Sequence, residues 1–276
     1  MRGIAWVGSA RAAILAGLLC LMLAAGACSG DDPGSGATQA DDGAGVGSEV
    51  LVFAASSLTE AFGEAGRRFE EANPTATVRF VFGPSDALAA QINNGAPADV
   101  FASASEAWMR AVHDQPPGVS AEGTFARNRL VIITPPDDPA RISSLEDLGE
   151  PGVKLVLAAE DVPAGTYARE ALDGVGVAEQ AEANVVSNEE DIKAVVQKVV
   201  LGEADAGIVY VTDLTTEVES SVRAVPIPPA DNVIATYPIA VVASSEHATL
   251  AGTFVEYVRS PDGQDVLRSY AFLPPP

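Results

Sequence analysis

From Glu49 onward the chain alternates short β-rich runs with amphipathic helical stretches, and that alternation restricts its fold more than any other feature. "EVLVFAAS" (49–56) reads as a strand. The helix that follows, through "SLTEAFGEAGRRFEEANP", places Leu58, Phe62 and Phe69 on roughly one face and stops at Asn73-Pro74. "TATVRFVFGP" is a second strand, "SDALAAQINNG" a short helix ended by Gly95, and "ADVFASAS" a third strand. The pattern then restarts with the strand "RLVIITPP", the short helix "SSLEDLG", the strand "KLVLAA" and a helix through "GTYAREALDGVG". A helix with Ile192, Val195, Val196, Val199 and Val200 on one stripe precedes the strand "AGIVYV"; "NVIATYPIAVVAS" is a further strand, and helices close the chain. Strands alternating with helices predict an α/β protein with a mostly parallel sheet, whose ligands sit at the strand-to-helix turns.

The first residues concern location. Arg2 and Arg11 flank an apolar opening, and "AAILAGLLCLMLAAGAC" (12–28) supplies a hydrophobic run ending in small residues before a cysteine. This reads as a secretory signal over 1–27. An uncleaved anchor helix is the alternative, though the run is marginal for a span and "AAGAC" favours cleavage. Small residues before a cysteine resemble a bacterial lipobox, which implies lipidation of Cys28 and an extracytoplasmic, membrane-anchored product. The other cysteine, Cys20, leaves with the signal, so no disulfide and no catalytic or metal-binding thiol is expected. Residues 28–48 are rich in Gly, Ser, Asp and Ala with little to bury, and read as a flexible tether.

The chain carries 38 acidic against 16 basic residues, a formal net charge of −22. Cleavage before Cys28 removes two arginines and no acid. Nucleic acid and anionic lipid are therefore poor partners.

Four strand-to-helix turns nonetheless offer donors to an anion. Ser56-Ser57 opens the first helix; Ser57 with Glu60 fits a capping box, so an ordinary cap accounts for it as well. "FGPSDAL" bends at Gly83-Pro84 and puts Ser85 at a helix head, again a possible cap. In "EDVPAGTYAREAL" the small residues Ala164 and Gly165 leave backbone N–H groups accessible. In "VSNEEDIKAVV" Ser187 or Asn188 can cap the helix, with the N–H of Ile192 near its first turn and three acids suiting the dipole. Each turn alone is a weak signal, and capping explains the first, second and fourth. If the two halves of the chain face each other, however, the four can converge on one small volume of N–H and O–H donors.

"VFAASSLTEAF", "GAPADVFASAS", "VPAGTYAREAL" and "GIVYVTD" also resemble, in order and with compatible spacing from about Val50 to Phe272, the molybdate-binding proteins of bacterial ABC importers. The resemblance implies the type II periplasmic-binding-protein fold: two α/β lobes with mostly parallel sheets, joined by two crossovers around a ligand cleft. Lobe 1 would comprise 49–128 plus 235–276 and lobe 2 129–234, with crossovers near 127–130 and 231–237. It implies a monomer without cofactor or catalytic residues that takes molybdate or tungstate and delivers it to an ABC permease. Carried over by position, the ligand-binding residues are Ser57, Ser85, the amides of Ala164 and Ile192, and the hydroxyl of Tyr210. The second turn departs from the family pattern, "FGPSD" replacing a serine-rich stretch, and in the first turn Ser56 competes with Ser57, which the cap position favours. Tyr210 by itself reads as a core tyrosine with its hydroxyl at the surface; the resemblance turns it toward the ligand.

Rival functions find less support. The two histidines, His113 in an expected loop and His247 at an expected helix start, read as solvated, and no serine lies in G-x-S-x-G. No His/Cys cluster has metal-ligand spacing, and no adjacent tyrosine pair suits a ferric-ion site. A sulfate or thiosulfate binder of the same fold remains the alternative. Sulfate also lacks a proton, so only pocket size separates it from molybdate.

Overall fold

The computed structural model describes residues 48–276. The signal over 1–27 with its anchor-helix alternative, Cys28 and the tether lie outside the described residues, apart from Ser48, which opens the first strand. β1 (Ser48–Ala55) passes through a 3-10 turn (Ser56–Leu58) into α1 (Thr59–Ala72). β2 (Ala76–Gly83) leads to α2 (Ser85–Asn93), and β3 (Val100–Ala102) to α3 (Glu106–His113). The long β4 (Val119–Thr134) precedes a 3-10 turn (Glu146–Gly149), β5 (Leu155–Ala158), α4 (Pro163–Gly174), α5 (Ala178–Ala183), β6 (Val185–Glu189), α6 (Ile192–Val200) and β7 (Ala206–Tyr210). After a last 3-10 turn (Val211–Asp213) come α7 (Thr216–Glu219), β8 (Arg223–Pro226), β9 (Ile234–Val242), α8 (Ala248–Arg259) and α9 (Pro261–Ser269).

The strands run β2-β1-β3-β9-β4-β7-β5-β6, with β8 also on β4. β1 pairs in parallel with β2 and β3, and β5 with β6 and β7. The four pairings made by β4 and β9 are antiparallel. Parallel order therefore holds within each flank and gives way in the middle, where two long strands run in opposite directions between the flanks. The first half of β4 pairs with β9, Asn128 opposite Ala235, while its second half lies between β7 and β8, Val131 opposite Val209 and Pro226.

The flanks pack differently. Phe62 and Phe69 of α1 are buried against Phe254 of α8, and Phe62 also meets Phe125 of β4, with ring centroids 5.3–6.1 Å apart. Burying one such ring contributes roughly 1.5–3 kcal/mol. The other flank is aliphatic: Val195 and Val199 of α6 are buried in one core with Val156 of β5 and Ile208 of β7. Val200, expected on the same stripe, is 41% exposed because the helix ends there. Gly95 (φ 90°) follows α2 in the left-handed region, as its place after the helix predicts.

Some elements were not legible. α3 falls where a loop around His113 is expected, and His113 is its last residue, 56% exposed at the side chain and bonded to Glu122 at 3.0 Å. The first half of β4, the short helices α5 and α7, and β8 carry too few apolar residues to show a period. No helix among the described residues is long and apolar enough to cross a membrane.

Candidate functional site

The strand-to-helix turns meet. A cavity of about 20 Å³ is lined by Ser56 and Ser57 after β1, Ser85 after β2, Ala164 after β5, Ile192 after β6, and Tyr210 at the end of β7. All five residues singled out from the sequence are buried there together, at the carboxyl ends of the strands. A water occupies roughly 10–15 Å³ on this scale, so the space suits one small ion or a water or two. Of the thirteen lining residues only Asp191 is charged.

Hydrogen-bond partners decide which groups can donate. The Ser85 hydroxyl accepts from the Ala104 N–H at 3.0 Å, which leaves its own proton for the cavity. Ala164 and Ile192 stand in the first turns of α4 and α6, where backbone N–H groups have no intrahelical acceptor. The Tyr210 hydroxyl is buried and makes no hydrogen bond to the protein. Burial above all raises its pKa well beyond the ordinary phenol value, so it remains a neutral donor. An orphaned, buried donor at a cavity wall is costly unless something accepts from it.

Ser56 and Ser57 part company. The Ser56 hydroxyl donates to Asp191 Oδ2, which spends its only proton. The other carboxylate oxygen of Asp191 accepts from the Lys193 N–H at 2.7 Å and caps α6. Asp191 therefore lines the cavity with both oxygens committed. Ser57 instead meets the Tyr237 hydroxyl at 2.8 Å.

Several capping expectations are corrected. Ser57 and Glu60 make no capping box, because a 3-10 turn precedes α1 and no side chain caps either helix. Glu60 is drawn away by the Lys193 ammonium, 2.9 Å from both its oxygens. Ser85 is the first residue of α2, after the cap position held by Pro84. Ser187 and Asn188 do not cap α6: they belong to β6, where Asn188 is paired with Leu157, and Asp191 takes the cap. Sequence reasoning missed Asp191, which lines the cavity, and Tyr237, which meets Ser57 behind it. An Asp directly before an apolar stripe was a cap signal for the first; nothing local marked the second.

Behind the cavity, Asp213 Oδ2 accepts the Tyr210 N–H at 3.0 Å and fixes the strand end. Its Oδ1 makes no hydrogen bond, with Lys193 Nζ 3.8 Å away. Burial pushes the carboxyl up to about 7, Lys193 opposing and Glu60 and Asp191 adding to the rise. A raised carboxyl stabilises the fold fully below its unfolded value, and that contribution is lost as pH rises through the folded one. The urea midpoint should therefore lose this contribution between about pH 4 and pH 7, and Asp213→Asn should flatten that limb. An unchanged pH profile in the variant would remove Asp213 as its source.

Residues 50–273 match the family described as bacterial extracellular solute-binding protein. The chain is 36% identical over 272 residues to the molybdate-binding protein ModA of Mycobacterium tuberculosis, covering 98% of this chain and 99% of that one. Among solved structures it resembles the periplasmic molybdate-binding protein of Azotobacter vinelandii, with a TM-score of 0.71 and 18% identity over 82% of this chain and 100% of that one. The sulfate-binding protein SubI of M. tuberculosis also gives a TM-score of 0.71, at 17% identity over 82% and 87% of the two chains. At these identities the structural likenesses show the fold, that of the periplasmic-binding proteins. The family match and the end-to-end relatedness together establish that the chain belongs, with the mycobacterial protein, to the bacterial extracellular solute-binding proteins, which are binders and not enzymes.

Proposed function

We propose that the cavity seats one molybdate dianion, with tungstate as an equivalent ligand, and that the protein delivers it to an ABC importer. The observation that carries this reading is the convergence of a partnerless buried tyrosine hydroxyl with four helix-start turns on a cavity of about 20 Å³ that no Lys or Arg lines. Ser57 and Ser85 hydroxyls, Ala164 and Ile192 amides and the Tyr210 hydroxyl are the proposed donors. Because Ser56 gives its proton to Asp191, Ser57 is the better serine for the first turn. A donor-only set suits an anion with no proton of its own, and the size disfavours organic anions, whose pockets run to several hundred Å³. The relationship to the mycobacterial molybdate-binding protein supports the choice of ion.

Sulfate is the second reading, favoured by the fold likeness to SubI and by the same donor logic. Two lobes, 49–128 with 235–276 and 129–234, would close on the ion, and the Lys193–Glu60 pair joining α6 to α1 is a contact such closure would make. Lipidation at Cys28 would hold the protein outside the membrane; the support is the run of small residues before that cysteine.

Calorimetry tests the assignment. Wild-type protein should bind molybdate and tungstate at least tenfold more tightly than sulfate, and Tyr210→Phe should weaken molybdate binding by roughly 0.5–3 kcal/mol, the range for one hydrogen bond to a charged partner. Equal affinities for molybdate and sulfate would sink the choice of ion. An unaltered Tyr210→Phe would take that hydroxyl out of the site.

A further inference from the structure

We propose that Asn128 and Tyr237 form a one-way hydrogen-bond relay that holds the Ser57 hydroxyl proton pointed into the cavity. This inference rests on the anion-site reading and adds two positioning residues behind it.

The direction of the relay follows from the atoms themselves. Asn128 of β4 is fully buried, and one end of its amide meets the Arg129 N–H at 2.9 Å. A backbone N–H can only donate, so that end is the oxygen and the other is the NH2 group. The NH2 group donates to Thr212 Oγ1 at 2.8 Å and to the Tyr237 hydroxyl at 3.2 Å. Tyr237 is fully buried too, and burial raises its pKa, so the phenol keeps its proton. With its oxygen accepting from Asn128, the hydroxyl must place that proton elsewhere, and Ser57 Oγ lies 2.8 Å away. A proton turned in any other direction would be a buried donor without an acceptor, which folded proteins avoid. Tyr237 therefore donates to Ser57. The serine, having accepted, turns its own proton toward the cavity it lines.

The arrangement has a consequence that a lone serine would not. A free hydroxyl rotor can present either a proton or a lone pair, and fixing its direction costs affinity at each binding event. Here the direction is set before the anion arrives, so the donor is preorganised. The neighbouring pair shows the opposite outcome: Ser56 gives its proton to Asp191 and offers none to the cavity. Adjacent serines are thus polarised oppositely by partners far away in sequence. Asn128 and Tyr237 stand on β4 and β9, the two strands that run between the flanks of the sheet, and Thr212 follows β7. The relay is anchored in the middle of the sheet.

A double-mutant cycle tests the relay, with Kd measured by calorimetry for molybdate and, in parallel, for sulfate. Wild type, Tyr237→Phe, Ser57→Ala and the double variant are compared. Tyr237→Phe keeps the ring and should weaken binding roughly three- to tenfold, the scale of one hydrogen bond. In the Ser57→Ala background the same change should do nothing, because Tyr237 acts only through the serine. A structural role would instead give losses that multiply, since independent sites add in free energy. Multiplying losses, or a Tyr237→Phe protein with wild-type Kd, overturn the relay while leaving the anion site standing. Wild-type protein that binds neither molybdate nor sulfate overturns the anion-site reading, and the relay with it.

Discussion

Ser85→Asp should abolish oxyanion binding while leaving the protein folded. The side chain stands at the first position of α2, where an acid suits the helix dipole, and its oxygen still has the Ala104 N–H to accept. The fold therefore keeps both its helix start and a satisfied buried amide. The cavity, however, now holds a carboxylate against the anion. At a separation of ~4 Å and an effective dielectric near 20, each pair of like charges costs about 4 kcal/mol, a factor of about a thousand in Kd, and a dianion doubles the energy. Calorimetry should show no molybdate binding where circular dichroism shows an intact protein. Retained binding would mean that Ser85 does not face the ligand. Ser85→Ala is the milder comparison, although it leaves the Ala104 N–H unpaired.

Gly165→Ala should damage both the fold and the site. A Cβ built on Gly165 would lie 2.0 Å from the Ala159 carbonyl oxygen and 2.4 Å from that of Ala158. Both are backbone atoms at the end of β5, so no side chain can turn aside. The start of α4 must move off the strand and carry the Ala164 amide with it. Overpacking of this severity costs about 3 kcal/mol, measurable as a lower urea midpoint, and the displaced amide should weaken molybdate binding at least tenfold. Gly263→Ala separates the two effects. Its Cβ would lie 2.3 Å from the Tyr257 carbonyl oxygen at the start of α9, away from the cavity, and should lower stability without changing Kd. If Gly165→Ala weakened binding no more than Gly263→Ala, the Ala164 amide would lose its place in the site.

What the sequence revealed and what it hid divide along contact distance. The strand–helix alternation is local, and so are the small or hydroxyl residues at each turn; that is why the turns carrying Ser57, Ser85, Ala164 and Ile192 stood out as candidates before any fold was known, whereas Tyr210 entered only through the family resemblance. The resemblance to a known family selected among turns that were each a weak signal alone. The use of each hydroxyl is a different matter. Ser57 is paired with a tyrosine 180 residues away and Ser56 with an aspartate 135 residues away, and no local pattern marks either pair. The capping box failed for the same reason: Glu60 is claimed by Lys193, 133 residues distant, so the serine and the glutamate never meet. Asp191 was closer to legible, since an acid before an apolar stripe is a cap signal, but the polar run before it offered Ser187 and Asn188 as rivals. Only the pairing of β6 with β5 excludes those two. The apparent conflict between an acidic chain and an anion seat also dissolves at this scale. Exposed charges are screened over ~8 Å at physiological salt, while the cavity presents buried dipoles and one carboxylate whose two oxygens already accept hydrogen bonds from the protein.

Five donors from separate turns are proposed to hold one tetrahedral dianion, and a crystal structure with bound tungstate would show whether they do, because tungsten is located by its anomalous scattering. A single peak is expected inside the cavity, with ligand oxygens within about 3 Å of the Ser57, Ser85 and Tyr210 hydroxyls and the Ala164 and Ile192 amides. A peak elsewhere, or an ion held in the cavity by lysine or arginine side chains, would contradict it.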